Sequence, residues 1–176
     1  EFHDSSIKSH ILLDILDNIR MLAFFKTNFD TSSSMVISGN AHCIEFHNTQ
    51  VLSKTLLRIF GNNTLLEFFN TRISAKSVLD VFANVNLLQF INTRFESNSS
   101  LNIYGGVQNI KFNNTISESY SSLSVSEFVP YMEFHNSTVK SHFLLYILDD
   151  VQTIEFYNTQ ISSKSVLNVS GIIYLL

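Results

Sequence analysis

The chain has 176 residues and a formal net charge of −4, and 45% of its residues are hydrophobic while 15% are charged. This balance excludes a disordered chain and predicts a single folded domain over residues 1–176. The net charge is slightly negative, so the composition does not indicate the basic surface that binds nucleic acid. No apolar run reaches the roughly 18 residues of a membrane span, so we expect no membrane insertion within this segment. The single Cys43 cannot form a disulfide within one copy.

A 22-residue repeat runs through the whole sequence. Half of the 16 Phe residues share one phase of this period, and eight periods account for all 176 residues. The Phe column consists of Phe2, Phe24, Phe46, Phe68, Phe90, Phe112, Phe134 and Phe156. Because the sequence starts at Glu1 in mid-pattern, we expect these eight coils to be part of a longer chain or of a polymer.

Two further apolar columns follow each Phe at fixed distances. A Leu or Met stands eleven residues after the Phe, and an Ile or Val stands two residues further on. In the first period these residues are Leu13 and Ile15. Within each segment the apolar residues alternate with polar ones, and this period of two indicates strands rather than helices.

Interruptions of the alternation predict two corners in each coil. In the last coil they fall at Asn158 and near Gly171, and the alternation from Ile161 to Val169 predicts one uninterrupted strand between them. Asn tolerates a left-handed backbone and can bond to the same residue one coil away, so the first corner predicts an Asn ladder, followed in every period by Thr or Ser. The ladder consists of Asn48, Asn70, Asn92, Asn114, Asn136 and Asn158.

These repeated IxFxNTxI and LxI elements predict an all-β fold, a parallel β-helix (β-solenoid) of eight 22-residue coils. They resemble the right-handed parallel β-helix, or pectin-lyase-like, repeat proteins of the kind found among surface, passenger and adhesin proteins. The resemblance implies a right-handed solenoid and is specific for fold, not for function. The alternative is a leucine-rich repeat solenoid, whose frame also fits residues 85–95, although its helical return segment would not show strand alternation.

Outward columns are where a chemical site would have to lie. The position before each Phe is often acidic, so Glu45 with Glu67 and Glu133 with Glu155 are expected in adjacent coils. These pairs are weak candidates for a cation site, since like charges at this spacing repel unless a cation relieves them. We predict no further metal ligands, no cofactor and no catalytic residues, because the remaining acidic and His residues form no convergent group.

Apolar and aromatic residues occupy the outward columns on both sides of the acidic column. A sheet face that is meant for water would be more polar, so these residues predict an interaction face. Its members are Leu65, Phe69, Leu87, Ile91, Tyr131 and Tyr157.

Five N-x-S/T sequons permit glycosylation of the chain. They stand at Asn62, Asn98, Asn113, Asn136 and Asn168. Together with the low charge and the high content of Asn, Ser and Thr, they favour an extracellular or cell-surface location.

The sequence therefore predicts a structural or adhesive protein rather than an enzyme. It would serve as a shaft or filament segment that assembles end to end or through its apolar-aromatic face, with itself, another surface protein or a glycan as partner. The alternative is a carbohydrate-binding or polysaccharide-degrading β-helix protein, a lyase or hydrolase. Such a protein needs a groove built by inserted loops, and the constant length of the repeat leaves no inserted loop.

Overall fold

The computed structural model describes residues 1–8, 10–14 and 18–175, and all regular elements in this part of the chain are β-strands. The strands form three parallel sheets, so the chain is an all-β parallel β-solenoid of about eight 22-residue turns. This confirms the predicted fold class. A leucine-rich repeat is not needed, because every described return segment is a strand. The prediction for Ile15 lies outside the described residues.

The three sheets run side by side along the solenoid, and their strands are numbered in chain order. Sheet 1 contains β1 (Phe2–His3), β4 (Ile19–Phe25), β7 (Ala41–His47), β10 (Asn62–Phe69), β13 (Asn84–Ile91), β16 (Val107–Asn113), β19 (Val129–His135), β22 (Val151–Tyr157) and β25 (Ile173–Leu175). Sheet 2 contains β2 (Ser6–Ile7), β5 (Asn28–Phe29), β8 (Gln50–Val51), β11 (Arg72–Ile73), β14 (Arg94–Phe95), β17 (Ile116–Ser117), β20 (Thr138–Val139) and β23 (Gln160–Ile161). Sheet 3 contains β3 (His10–Asp14), β6 (Ser34–Ser38), β9 (Leu56–Ile59), β12 (Val78–Val81), β15 (Ser100–Ile103), β18 (Ser122–Val125), β21 (Leu144–Ile147) and β24 (Val166–Val169).

A continuous stack of Phe rings runs through the core along sheet 1. The ring centroids of successive coils lie 4.6 to 5.1 Å apart, from Phe2 to Phe156. This distance matches the spacing of about 4.8 Å between paired strands, so each ring packs on the same residue of the next coil. A single coil has one apolar face only, and it therefore gains its stability from stacking on its neighbours.

The Asn ladder turns the chain from sheet 1 into sheet 2. Each ladder Asn has a positive φ between 48° and 52°, a conformation that Asn adopts more readily than most residues. Asn70 donates from Nδ2 to Asn48 Oδ1 over 3.2 Å, and Asn92 donates to Asn70 over 3.0 Å. In the first two coils Asp4 and Lys26 take this position, with φ of 44° and 50°.

The Thr or Ser that follows each ladder Asn is buried in the coils from Thr49 to Ser137. Thr93 is 1% exposed, and its hydroxyl donates to the carbonyl oxygen of Phe68 in the preceding coil over 2.9 Å. Thr71 makes the same bond to Phe46 over 3.0 Å. A buried hydroxyl needs such a partner, and here it ties the corner of one coil to the Phe strand of the coil before it.

A third corner, which the alternation did not predict, divides the segment from Ile161 to Val169. β23 ends at Ile161, Lys164 has a φ of 67°, and β24 begins at Val166. In the second to sixth coils a β-turn with the i to i+3 hydrogen bond forms this corner, for example from Ser77 N to Ser74 O over 3.2 Å. The prediction of one strand was wrong because small residues on both sides of the turn continue the pattern of alternating polarity.

The first coil departs from the period in sheet 3. Ile11 pairs with Met35, and Leu13 pairs with Ile37, so that β3 is shifted by two residues from the predicted register of Leu13 with Met35. A shift of two residues preserves the alternation of the two faces, and the hydrophobic pattern therefore did not reveal it. The other strands of sheet 3 pair at the predicted spacing.

A second ladder of Asn residues lines the corner between sheet 3 and sheet 1. Asn62 N donates to Asn40 Oδ1 over 2.8 Å, and Asn84 Nδ2 donates to Asn62 Oδ1 over 3.0 Å. Gly61 has a φ of +97°, and a Cβ atom there would lie 2.0 Å from the carbonyl oxygen of Gly39. A side chain at residue 61 would therefore collide with the backbone of the preceding coil.

Candidate interaction surfaces

The outward face of sheet 1 carries the acidic column. Glu45 and Glu67 are register partners in adjacent strands. His47 lies between them, with Nε2 at 2.9 Å from Glu45 Oε2 and 3.4 Å from Glu67 Oε1. The imidazole gives both carboxylates a polar partner from within the protein, at the place where the sequence predicted a candidate cation.

Cys43 extends this acidic cluster along β7. Its Sγ donates to Glu45 Oε1 over 3.0 Å, and the thiol is buried. Burial, then this hydrogen bond and the charges of Glu45 and Glu67, raise the pKa of the Cys43 thiol to about 12. The thiol stays protonated at neutral pH and is therefore a poor nucleophile.

Glu133 has a donor on both sides. Lys111 Nζ lies 2.8 Å from its Oε1, and His135 Nε2 lies 3.1 Å from its Oε2. Burial acts to raise the pKa of the Glu133 carboxyl, but the hydrogen bonds and charges of Lys111 and His135 outweigh it and hold this pKa below the usual 4.5. Tyr131 donates to Glu155 Oε2 over 2.6 Å, and this bond raises the pKa of the Tyr131 phenol to about 12. Each of the four candidate carboxylates thus contacts a polar group of the protein itself.

The acidic column is not part of a larger ligand set. Within residues 1–8, 10–14 and 18–175, no group of three or more His, Cys, Asp or Glu side chains is arranged to hold a metal ion. Cation binding by Glu45, Glu67, Glu133 and Glu155 stays a prediction for titration. The part of the chain that the structure describes also contains no helix long and apolar enough to cross a membrane.

The predicted interaction face lies on the outward side of sheet 1, but its side chains shield one another. Leu65 is the register partner of Leu87, and Phe69 is the register partner of Ile91, and all four are half-buried. Tyr131 is half-buried as well, whereas Tyr157 is 65% exposed. The ring of His47 packs against that of Phe69 at a tilt of 40°, with ring centroids 5.4 Å apart.

A more exposed apolar surface lies at the corner between sheet 3 and sheet 1, and the sequence reasoning missed it. We call it the corner ridge, and it consists of Phe60, Phe82, Tyr104, Phe128 and Leu148. The rings of Phe60, Phe82 and Tyr104 stack face to face at 4.7 Å. The last four members of the ridge are 39% to 53% exposed. The sequence does contain a sign of this ridge, because all its members except Phe128 recur at the same position of the 22-residue repeat.

A groove crosses the outward face of sheet 1 where the short Asn113 stands between Ile91 and His135 of the neighbouring coils. It has a volume of about 440 Å³. The side chains that line it include amides, the Lys111 ammonium and the Glu133 carboxylate around the apolar Ile91. Such a mixture suits a small polar ligand that presents several hydroxyl groups.

The five sequon residues are all exposed, but their surroundings differ. Asn62 and Asn136 belong to the two ladders, where their Oδ1 atoms accept from Asn84 and Asn158. Asn98 lies at the third corner with a φ of 62°. The remaining two are Asn113, beside the groove, and Asn168, in β24. Glycosylation at these positions stays a prediction.

Comparisons of the chain with known protein families, with curated proteins and with solved structures found no match. The fold and the surfaces described above are therefore the basis on which a function is proposed.

Proposed function

We propose that the protein is a structural or adhesive β-solenoid of the right-handed, pectin-lyase-like type, a shaft or filament segment that acts outside the cell or at its surface. The regular register of the coils is the observation that carries this proposal. From β4 to β22 every strand of sheet 1 pairs with the strands of the preceding and following coils. About eight coils at ~4.8 Å each form a rod about 38 Å long, which offers faces and ends for binding.

The end of the last described coil supports end-to-end assembly. Ile161 and Leu167 are 52% and 45% exposed there, whereas Ile73 and Leu79 in the same columns are 1% and 2% exposed. The exposed side chains line an apolar opening of about 320 Å³. A further coil, from the same polypeptide or from another copy, would bury this opening as the internal coils bury theirs, and would pair the open strand edges.

A variant at this end tests the proposed assembly. We expect the purified protein to form sedimentable assemblies as its concentration rises, and Leu167→Asp to suppress them, because a carboxylate would be buried between coils. Asn168→Asp is the matched control, since Asn168 is the exposed neighbour in the same strand. Equal assembly of the Leu167→Asp protein, with an unchanged circular dichroism spectrum, would contradict end-to-end stacking.

The groove beside Asn113 favours a second candidate function, binding of a carbohydrate. Its amide and charged groups can bond to sugar hydroxyls, and the neighbouring Tyr157 ring is open to solvent. Calorimetric titration with neutral and acidic oligosaccharides, with and without calcium, tests this candidate. Saturable binding that Asn113→Leu abolishes would support it, and turnover of an acidic polysaccharide would contradict the structural function.

The proposed partners follow from the same surfaces. They are another copy of the protein, a different surface protein or a glycan, and the protein is proposed to act without enzymatic activity, without nucleic acid and without a cofactor. Several basic side chains that a nucleic acid would contact are paired with acidic ones, such as Lys140 with Glu118 at 2.8 Å and Arg72 with Glu96.

A further inference from the structure

We propose that the corner ridge packs against the corner ridge of a second copy of this chain, with the two rods side by side and antiparallel. This inference rests on the proposed structural function and names its lateral partner and contact surface. It concerns the side of the rod, and is therefore independent of the end-to-end contact at Leu167.

The size of the exposed ridge supports a weak dimer. Four of its side chains, from Phe82 to Leu148, are 39% to 53% exposed. Side chains of this size have about 200 Å² of surface each, so the ridge exposes on the order of 350 Å² of apolar area. This is as large as the largest apolar patch of an ordinary monomer, and about half of the ~800 Å² that each partner buries in a stable complex. We therefore expect association that depends on concentration.

The spacing of the ridge favours a second copy over an unrelated partner. The rings of Phe60, Phe82 and Tyr104 follow each other at 4.7 Å, which is the distance between paired strands. A partner that contacts several rings at once has to present side chains at the same spacing. A second copy of this solenoid meets that requirement, and two such rows can interdigitate as in a steric zipper.

Charges beside the ridge favour the antiparallel orientation. In the first half of the rod Arg58, two residues before Phe60, is paired with Asp80 at 3.4 Å, so its charge is balanced within the chain. The second half carries Glu127, Asp149 and Asp150 beside Phe128 and Leu148. Parallel rods would place the acidic groups of the two copies next to each other, whereas antiparallel rods place them beside the first half of the other ridge, where Arg58 and Asp80 balance.

The two-fold axis of such a dimer would pass between Phe82 and Tyr104. Phe82 of one copy then faces Tyr104 of the other, and Phe60 faces Ser126, two residues before Phe128. The same patch is used on both copies, which makes the contact closed and limits lateral association to a dimer.

Sedimentation equilibrium of the full chain tests the contact. In a Leu167→Asp background, which suppresses end-to-end assembly, we expect a monomer–dimer equilibrium whose dissociation constant rises at least tenfold when Phe82→Ser and Tyr104→Ser are added. Tyr120→Ser is the matched control, because Tyr120 is 58% exposed but lies at the third corner. Circular dichroism confirms that each variant is folded.

Disulfide crosslinking tests the orientation. In a background with Cys43→Ser, a mixture of the Phe82→Cys and Tyr104→Cys proteins should crosslink faster than either protein alone. Faster crosslinking of Phe82→Cys with itself would indicate parallel rods and overturn the antiparallel dimer.

The outcomes separate this inference from the function on which it rests. If the Leu167→Asp protein stays monomeric at all concentrations, or if it dimerises equally well after the double substitution, the ridge contact is overturned. If Leu167-dependent assembly persists in either case, the proposed structural function still stands. If ridge dimers form and the Leu167→Asp protein assembles normally, end-to-end stacking is the part that is wrong.

Discussion

Phe90 shows what a single inward residue contributes to the solenoid. Its ring lies 5.0 Å from the ring of Phe68 and 5.1 Å from that of Phe112, and its side chain is fully buried. Stacked coils are fixed in spacing by their strand pairing, so the neighbouring rings cannot move into the space that a smaller residue leaves.

We expect Phe90→Ala to lower the free energy of unfolding by about 3 to 5 kcal/mol, through lost burial and a cavity. Chemical denaturation of the purified variant measures it. Phe82→Ala is the control, because Phe82 also stacks at 4.7 Å but is 39% exposed, and it should cost about 1 kcal/mol. An unchanged midpoint for Phe90→Ala would contradict the placement of this ring in the core.

Asn92 combines two contributions, a left-handed backbone and a place in the amide ladder. It has a φ of 50°, donates to Asn70 over 3.0 Å and accepts from Asn114 over 3.2 Å. Asn92→Ala loses both, and we expect it to cost about 2 kcal/mol.

The variant Asn92→Gly separates the two contributions of Asn92. Glycine adopts the positive φ freely, so this variant should lose only the ladder bonds and cost about 1 kcal/mol in chemical denaturation. Equal losses for Ala and Gly would mean that backbone strain plays no part at this corner.

At the scale of the strands, the sequence predicts the inward pattern more fully than the corners. Alternation and the 22-residue period identify the strands of sheet 1, the Phe stack and the Asn ladder, because side chains that face a common core must repeat in type. The pattern does not predict the third corner at Lys164, because a turn can replace strand residues without changing which side chains point inward. The two-residue shift of β3 also leaves the inward side chains inward, so the pattern does not predict it either.

The outward surfaces were predicted less well than the core. The period identifies which residues stand next to each other, such as Leu65 and Leu87, but it does not show how far each shields the next. Exposure depends on the angle of the backbone at each corner, and Phe82 is 39% exposed although its ring stacks on that of Phe60. The position of His47 between two carboxylates depends on its rotamer, which a sequence pattern does not specify.

The pair of Lys111 and Glu133 links β16 to β19 and makes this contact sensitive to acid. The pKa of Glu133 lies below its usual 4.5 in the folded protein. Between the two values the unfolded chain binds more protons, so the pair stabilises the fold above pH 4.5, and this contribution is lost as the pH falls through the folded pKa.

A carboxyl titration by nuclear magnetic resonance checks this coupling. We expect Lys111→Met to raise the pKa of Glu133, because the nearest cation is removed, and to weaken the dependence of stability on pH in this window. Lys111→Arg keeps the charge and should leave the pKa low. A Glu133 pKa that is unaffected by Lys111→Met would show that the ion pair does not form in solution.

The whole molecule is a rod whose stability is a sum of contacts between neighbouring coils. Along each side of the rod, similar side chains follow one another from coil to coil. They form extended surfaces such as the corner ridge. An extended partner, or a second rod, fits this shape better than a substrate that must be enclosed.

Electron microscopy of the purified protein over a concentration series, combined with fibre diffraction, tests the central claim that the stacked coils act as a structural rod. We expect rods that lengthen or pair as the concentration rises, with a reflection at ~4.8 Å along the rod axis from the spacing of the coils. Compact single particles at every concentration, without this axial reflection after alignment, would contradict it.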